Sequence, residues 1–541
     1  MKRNRWLCLA MAGLMTASMF LAGCGGNGNS TTAAGGETKA GGTQGATEAN
    51  AGAGTETGAA TTGKDSLIIG HWGDPPSLDP NNSMNDCSMR VTTNVFDTLV
   101  RMDEHFKAQP CIAESWTISD DGTEYTFKIR GDVKFHNGDL LTVDDVVFSI
   151  DRGINSPKAS PSYGKVAGVE KVDDQHVKVI LKAPYNQAQI LANLALPFGP
   201  IMSKSYVESV GDEEFARKPM GTGPYKFVEW VKGEKVILEA NEDYFMGAPS
   251  IKHVELVTIA DTSAALLNLE SGDIDAYCDI QTSDYGLAQS NPDIKIVEGN
   301  ALGYEFLQFN TKKAPFDNVK VRQAVAYALD KDAMLQGIND GIGTKLDTVV
   351  LEDAIGYTDK ITKYDYNLEK AKALLAEAGY PDGFTCDIHV ISDLYAKYAQ
   401  VLQSSLLEIG IKAEIKQEEL SAYKVTTGGG NYDMAINGCS FTVMDVYESC
   451  GDSVIGSKIG ETNNTFYDNP RVNELFDEAL VTVDDAKLGT LYEEILVTLS
   501  EDVPIVPFIW RVRNVTCNKD LNIPYMDPYA FHYLKDWSWS S

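Results

Sequence analysis

The chain has 541 residues, 43% of them hydrophobic and 23% charged, and its 46 basic and 77 acidic side chains leave a formal net charge of −31. That composition can bury a large core and suggests roughly two to four domains of ordinary size. So acidic a surface repels nucleic acid and anionic lipid headgroups, which excludes both as partners.

The chain begins with the form of an export signal. Lys2, Arg3 and Arg5 precede an apolar run over residues 6–22, and the small residues Ala22 and Gly23 lead to Cys24. The run is diluted by Gly, Thr and Ser and falls short of the roughly 20 residues a spanning helix needs. Leu21-Ala22-Gly23-Cys24 resembles the bacterial lipobox, which implies cleavage after residue 23 and acylation of Cys24. Residues 25–63 contain nothing apolar larger than Ala. They are expected to form a flexible tether with a reach of about 30–35 Å. The first divisions are therefore 1–23, a lipoprotein signal peptide, and 24–63, the lipidated cysteine and its linker.

Beyond Cys24 stand Cys87, Cys111, Cys278, Cys386, Cys439, Cys450 and Cys517, scattered and odd in number. They form no disulfide framework. Buried free thiols are expected, with a Cys439–Cys450 bridge as the alternative. The seven histidines show no paired spacing with each other or with cysteine, so no metal site is read.

Folded sequence starts with an apolar strand at Leu67-Ile68-Ile69 and the turn-rich Gly73-Asp74-Pro75-Pro76. Residues 91–99 are predicted as a helix leading into Val100. Trp116-Thr117-Ile118, the turn Asp121-Gly122 and the alternating 125–129 predict antiparallel strands. Thr142, followed by Asp144 and Asp145, predicts a capped helix start. In the second half Val321, Ala324, Val325, Ala328 and Leu329 form a helical stripe with Asp317 placed to cap. Residues 368–378 repeat that form and stop at Gly379. Residues 384–390, 394–409 and 411–415 read as strand, helix and strand, hence a parallel pair with a right-handed crossover. Strands are also predicted at 432–436 and 503–510.

The wording of these segments carries more than their periodicity. Trp116, Asp121-Gly122, Tyr125-Thr126-Phe127, Arg130, Val133-Lys134-Phe135-His136-Asn137-Gly138, Thr142 and Asp144-Asp145-Val146 together resemble the signature of solute-binding protein family 5. Further matches are Gly221-Thr222-Gly223-Pro224-Tyr225, Asn241-Glu242-Asp243-Tyr244, Leu269-Glu270-Ser271-Gly272-Asp273-Ile274-Asp275, Phe309-Asn310-Thr311 and Pro315-Phe316-Asp317-Asn318-Val319-Lys320-Val321-Arg322-Gln323-Ala324. The resemblance implies an α/β fold of two lobes, periplasmic-binding-protein-like (type II, cluster C), with an extra subdomain in the first lobe. Lobe I is expected at 64–300 with the insertion at about 81–220, lobe II at 301–510, and a return to lobe I at 511–541. The crossings are placed near 300–303 and 510–513.

What the resemblance implies for function is an extracytoplasmic receptor, lipid-anchored to the cell membrane, that binds a peptide or other small solute by inter-lobe closure. Its partners would be the permease and ATPase subunits of an ABC importer. No cofactor, no metal and no nucleic acid are expected. The alternatives are a non-peptide cargo (nickel chelate, sugar or opine-like compound) and, remotely, a surface hydrolase.

Catalytic patterns are fragmentary. Gly451-Asp452-Ser453-Val454 has the opening of one esterase motif, but the only Asp-x-x-His, Asp173 and His176, lies far upstream; a plain turn is expected at Ser453. Gly221-Thr222-Gly223 lacks the last glycine of a dinucleotide loop, and Gly456-Ser457-Lys458 reverses the order of a phosphate loop. The chain is therefore read as no enzyme. For binding, the resemblance points to Gly438, Cys439, Ser440, Phe441 and Thr442 after the 432–436 strand, and to Met84, Asn85 and Asp86. In peptide-binding relatives a Trp commonly stands at the Cys439 position and an acid at the Thr442 position, where it pairs with the ligand's α-ammonium. Thr442 offers only a neutral hydroxyl, worth less than a charge-assisted contact. Asp445, Glu448 or Asp86 are the candidates to replace that acid, with solvated loop acids as the other reading of Asp445 and Glu448.

Overall fold

The structure, a computed structural model, describes residues 64–529 and 531–540. The expected signal peptide, Cys24 and the linker lie outside the described residues.

Strand β1 (Ser66–His71) opens the fold with Leu67 and Ile69 buried. Helix α1 (Asp86–Val95) begins where the Asn85 side chain accepts a hydrogen bond from the Cys87 amide. The helix expected at 91–99 thus starts five residues earlier and ends at Val95. Asn85 supplies a cap that apolar periodicity cannot reveal. At the other end Gly221 and Gly223 press on the Val95–Phe96 backbone, where a Cβ would come within 2.2 and 2.6 Å of main-chain atoms. Close backbone approach, rather than a turn, is what those glycines serve.

Strand β2 (Ile294–Phe309) is 16 residues long, and its later half is almost wholly buried. Strand β3 (Met434–Ser440) runs four residues beyond the predicted 432–436, because Gly303 to Phe309 of β2 offers it a continuous antiparallel partner. Helix α2 (Val446–Val454) follows and contains Ser453 in its last turn, so that residue lies on a helix, not in a plain turn. Strand β4 (Ile505–Asn518) is longer than predicted and starts two residues later. Val503 instead takes a left-handed conformation at the end of helix Asp485–Asp502.

Eleven strands share one sheet, in the order Lys412–Gln417, Thr385–Val390, β3, β2, β4, Ala276–Cys278, β1, His253–Thr258, Lys235–Ala240 and Tyr225–Val231, with Thr344–Lys345 also on β4. Thr385–Val390 and Lys412–Gln417 are parallel and joined through helix Asp393–Glu408, as strand, helix and strand predicted. The central β2 and β4 are antiparallel, and their register breaks between Asn300 and Tyr304. Buried clusters divide at the same level. Leu302, Tyr304, Phe441, Tyr492 and Trp510 belong to one, and Leu67, Val254, Val515 and Trp537 to another.

A separate four-stranded antiparallel sheet is built from Ala113–Ile118, Glu124–Ile129, His176–Leu181 and Val166–Lys171. Thr142 and Asp145 close a reciprocal capping box at the start of helix Val143–Asn155, as Thr142 predicted. For helix Val319–Ala328 the cap is Asn318, not Asp317, because only Asn318 accepts from the Lys320 amide.

Candidate functional site

Arg511 and Arg513 lie two residues apart on β4 and so project from one face of the strand. Each reaches one of the two segments expected to bind ligand. Arg513 Nη2 lies 3.8 Å from Asp86 Oδ2, and its Nη1 lies 3.4 Å from Asp279 Oδ2. Arg511 Nη2 donates to the Cys439 carbonyl, and to Ser440 Oγ at 3.0 Å. Segments far apart in sequence therefore meet across one strand, beside the register break.

Both arginines keep solvent access, with side chains 37% and 36% exposed. Among the acids near them, Glu305 on β2 is 5% exposed and lies 3.6 Å from Arg511 Nε. That separation is long for an N–H···O bond. Burial raises the Glu305 carboxyl, opposed by Arg511 and by the Tyr395 hydroxyl.

The 84–86 segment combines an exposed Met84, the capping Asn85 and Asp86 in the first turn of α1. A helix start favours a negative group there. Asp86 is 34% exposed. In the second segment β3 pairs Gly303 with Ser440, Tyr304 with Cys439 and Glu305 with Gly438. A Cβ on Gly303 would sit 2.1 Å from Arg511 Nη2, so this glycine makes room for the guanidinium. A Cβ on Gly438 would sit 2.4 Å from both Glu305 Oε2 and the Tyr395 hydroxyl.

Cys439 is half-buried with its thiol pushed up to about 11 by burial, and all seven described cysteines are free. Phe441 is buried against Tyr304 and Trp510, so it supports the site from the core. Thr442 Oγ1 is buried without a hydrogen-bond partner among the described residues, while its carbonyl accepts from the Tyr529 hydroxyl.

The two acids beyond Thr442 are not solvated loop residues. Asp445 is 4% exposed and caps α2, with Oδ1 accepting from the Tyr447 amide at 2.8 Å. Its Oδ2 accepts from Asn186 Nδ2 at 2.9 Å and from the Tyr492 hydroxyl at 2.9 Å. Little acceptor capacity is left for a ligand. Glu448, one turn on, is half-buried; burial, with Asp445 and Asp452 adding to it, raises its carboxyl to about 7 against Lys458 and Lys165. Sequence reasoning missed Arg511, Arg513 and Glu305. The signal for the first two was present, since 505–510 is apolar and two arginines then alternate with Val512.

His176 Nδ1 lies 2.9 Å from Asp173 in an exposed turn, and the Ser453 carbonyl accepts a hydrogen bond from the Thr465 hydroxyl. Among the described residues no three metal-ligating side chains gather. Two open cavities, of about 1110 and 620 Å³, lie along Ser77, Asp212 and Trp230 and along Asp79, Arg152 and Asp212, and neither includes the arginine pair. A site on the open face of β4 needs no enclosed volume until something covers it.

Comparison with known proteins identifies the family of the chain. The profile described as bacterial extracellular solute-binding proteins, family 5 Middle, matches residues 107–458. The chain is 31% identical over 429 residues to heme-binding protein A of Haemophilus influenzae, covering 74% of this chain and 78% of that one. It is 30% identical over 565 aligned positions to oligopeptide-binding protein AppA of Bacillus subtilis, covering 99% and 98%. Among solved structures, HbpA2 from Haemophilus parasuis superposes with a TM-score of 0.83 at 28% identity, over 88% of this chain and 100% of that one. The AppA structure in complex with a nonapeptide gives 0.64 at 29% identity, over 88% and 99%.

Proposed function

The chain belongs to the bacterial extracellular solute-binding proteins of family 5, and from that membership we propose that it captures a di- or oligopeptide between two lobes and hands it to a permease. It is a two-lobe α/β solute-binding protein of an ABC importer and works outside the cytoplasm; its relatives are binding proteins. The observation that carries the peptide reading is the meeting of 84–86 and 438–442 on β4, beside the register break of the two long strands. Bending at such a crossing encloses whatever lies between the segments. An extended peptide is held largely through main-chain contacts, which need no particular side chain. The identity to an oligopeptide-binding protein over nearly the whole chain supports that cargo.

In this reading Asp86 meets the ligand's ammonium, because Thr442 is neutral and the Asp445 carboxylate is already engaged. Met84, Asn85, Gly438, Cys439 and Ser440 line the cleft, and Phe441 holds its floor. Acylation of Cys24 anchors the protein, and residues 25–63 form the leash. No described helix is long and apolar enough to cross a membrane. Acyl chains contribute about 0.8 kcal/mol per buried methylene, so two or more hold durably.

A non-peptide solute is the second reading, favoured by Thr442 standing where peptide binders commonly have an acid and by 31% identity to a heme-binding protein. Native mass spectrometry of the domain from Asp65 onward, purified gently, separates the two. Retained masses that fragment into amino acids establish peptide cargo. A single non-peptide mass replaces it with the second reading.

A further inference from the structure

The guanidinium of Arg511 has five N–H donors. The hydrogen bonds it makes, to the Cys439 carbonyl and to Ser440 Oγ, both come from Nη2. Nε has no hydrogen-bond partner and lies 3.6 Å from Glu305 Oε1, too far for an N–H···O bond, so this ion pair is incompletely made. The side chain is 37% exposed on the face that joins the two binding segments. Gly303 leaves the slot in which it lies, and Thr442, two residues beyond Ser440, holds a buried hydroxyl without a partner. Where an acid would await an ammonium, this chain offers a cation bonded to the Ser440 hydroxyl, inside a protein of net charge −31.

We propose that Arg511, with the hydroxyls of Ser440 and Thr442, binds a carboxylate of the cargo, so that a zwitterionic ligand lies with its acidic end on this segment and its ammonium toward Asp86. The placement at the inter-lobe face rests on the receptor reading given above; the carboxylate itself is free of the choice between peptide and other acids. An incoming carboxylate takes the unengaged N–H donors in the forked geometry that arginine favours. Glu305 then serves as the internal carboxylate that occupies Arg511 when no ligand is present. Arg513 differs, because Asp86 and Asp279 already flank it.

The test uses the lipid-free domain from Asp65 onward and two pairs of probes. One is a pool of alanine peptides of two to six residues with free carboxyl ends, against the same pool as C-terminal amides. The other is protoporphyrin IX against its dimethyl ester. Affinity is read by tryptophan fluorescence. The expected result is that an acid form binds about tenfold or more tighter than its neutral partner. R511Q should reduce that ratio to near one while still melting cooperatively, R511K should keep part of it, and S440A should lower it less. A ratio near one in the unaltered protein, or one that survives in R511Q, overturns the proposal. Peptide acid and amide binding equally would sink the carboxylate subsite and leave the peptide reading standing. Acid dependence with the porphyrin alone would keep the subsite and remove the peptide reading. Binding of no probe counts against both.

Discussion

Asn186 donates its side-chain amide to the Asp445 carboxylate at 2.9 Å, across 259 residues of chain. Tyr492 joins them, receiving a hydrogen bond from Asn186 and donating to Asp445. Tyr185 lies edge-on to Tyr447 beside this junction. The loop before helix Gln187–Ala195 is thereby tied to the start of α2, immediately after the candidate binding segment.

Breaking that tie should be costly. Asp445→Ala removes a helix cap and leaves Asn186 and Tyr492 buried without their acceptor. The expected loss is about 2–4 kcal/mol, from a cap near 1 and one or two unsatisfied groups. Asp445→Asn keeps an acceptor for the helix amides and should lose less. Urea unfolding of the two variants checks the order.

Glu448 gives a pH signature. Its carboxyl is raised from 4.5 to about 7 by burial and then by Asp445 and Asp452. The folded state therefore holds this proton more tightly than the unfolded state does. Its contribution to stability is greatest below pH 4.5, falls as pH rises through about 7, and is absent above. The slope is at most about 1.4 kcal/mol per pH unit within that window. Glu448→Gln should flatten this part of the profile, read as the difference in melting temperature between variant and parent from pH 5 to 8. An unchanged profile would place Glu448 in solvent.

The seven thiols should be nearly silent in the folded domain. Six are buried, and burial pushes Cys439, the half-buried one, up to about 11. Thiolate is the reactive form, so a thiol reagent at pH 8 should label at most Cys439, and slowly. After denaturation all seven should react. Five in place of seven would establish a disulfide, with Cys439–Cys450 the first pair to examine.

Gly303→Ala should disturb both fold and site. The added Cβ meets Arg511 Nη2 and, at 2.5 Å, the Cys439 carbonyl, which is backbone and cannot step aside. A loss of about 1–3 kcal/mol is expected from this overpacking. Displacement of Arg511 should weaken ligand binding along with it. A variant with full stability and full affinity would mean that β2 and β3 separate more easily than their pairing implies.

For the anchor, Cys24→Ala should abolish incorporation of labelled fatty acid. It should also move the protein from the membrane fraction to the soluble extracytoplasmic fraction, or leave it uncleaved. Label retained in the variant would disqualify Cys24.

Local chemistry was legible in the sequence because it acts over a few residues. Thr142 reaches three residues on to close its capping box, 125–129 alternates with the pleat, and the apolar steps of 394–409 mark a helix between two strands. The motifs from Trp116 to Ala324 were enough for the family. The same local view erred at α1 and β3, where a capping Asn85 and a partner strand, not hydrophobic period, set the boundaries. It had no access to the junction of Asn186, Asp445 and Tyr492, or to the meeting of Arg511 with Glu305 and Ser440. The Arg511 contacts follow from the register of β2 on β4 and β3, and the Asn186 junction from the packing of its loop and of helix Asp485–Asp502 against the start of α2. A carboxylate in a sequence is only an acid; whether it is a helix cap, an ion-pair partner or a free acceptor is decided by which donors the tertiary structure places against it.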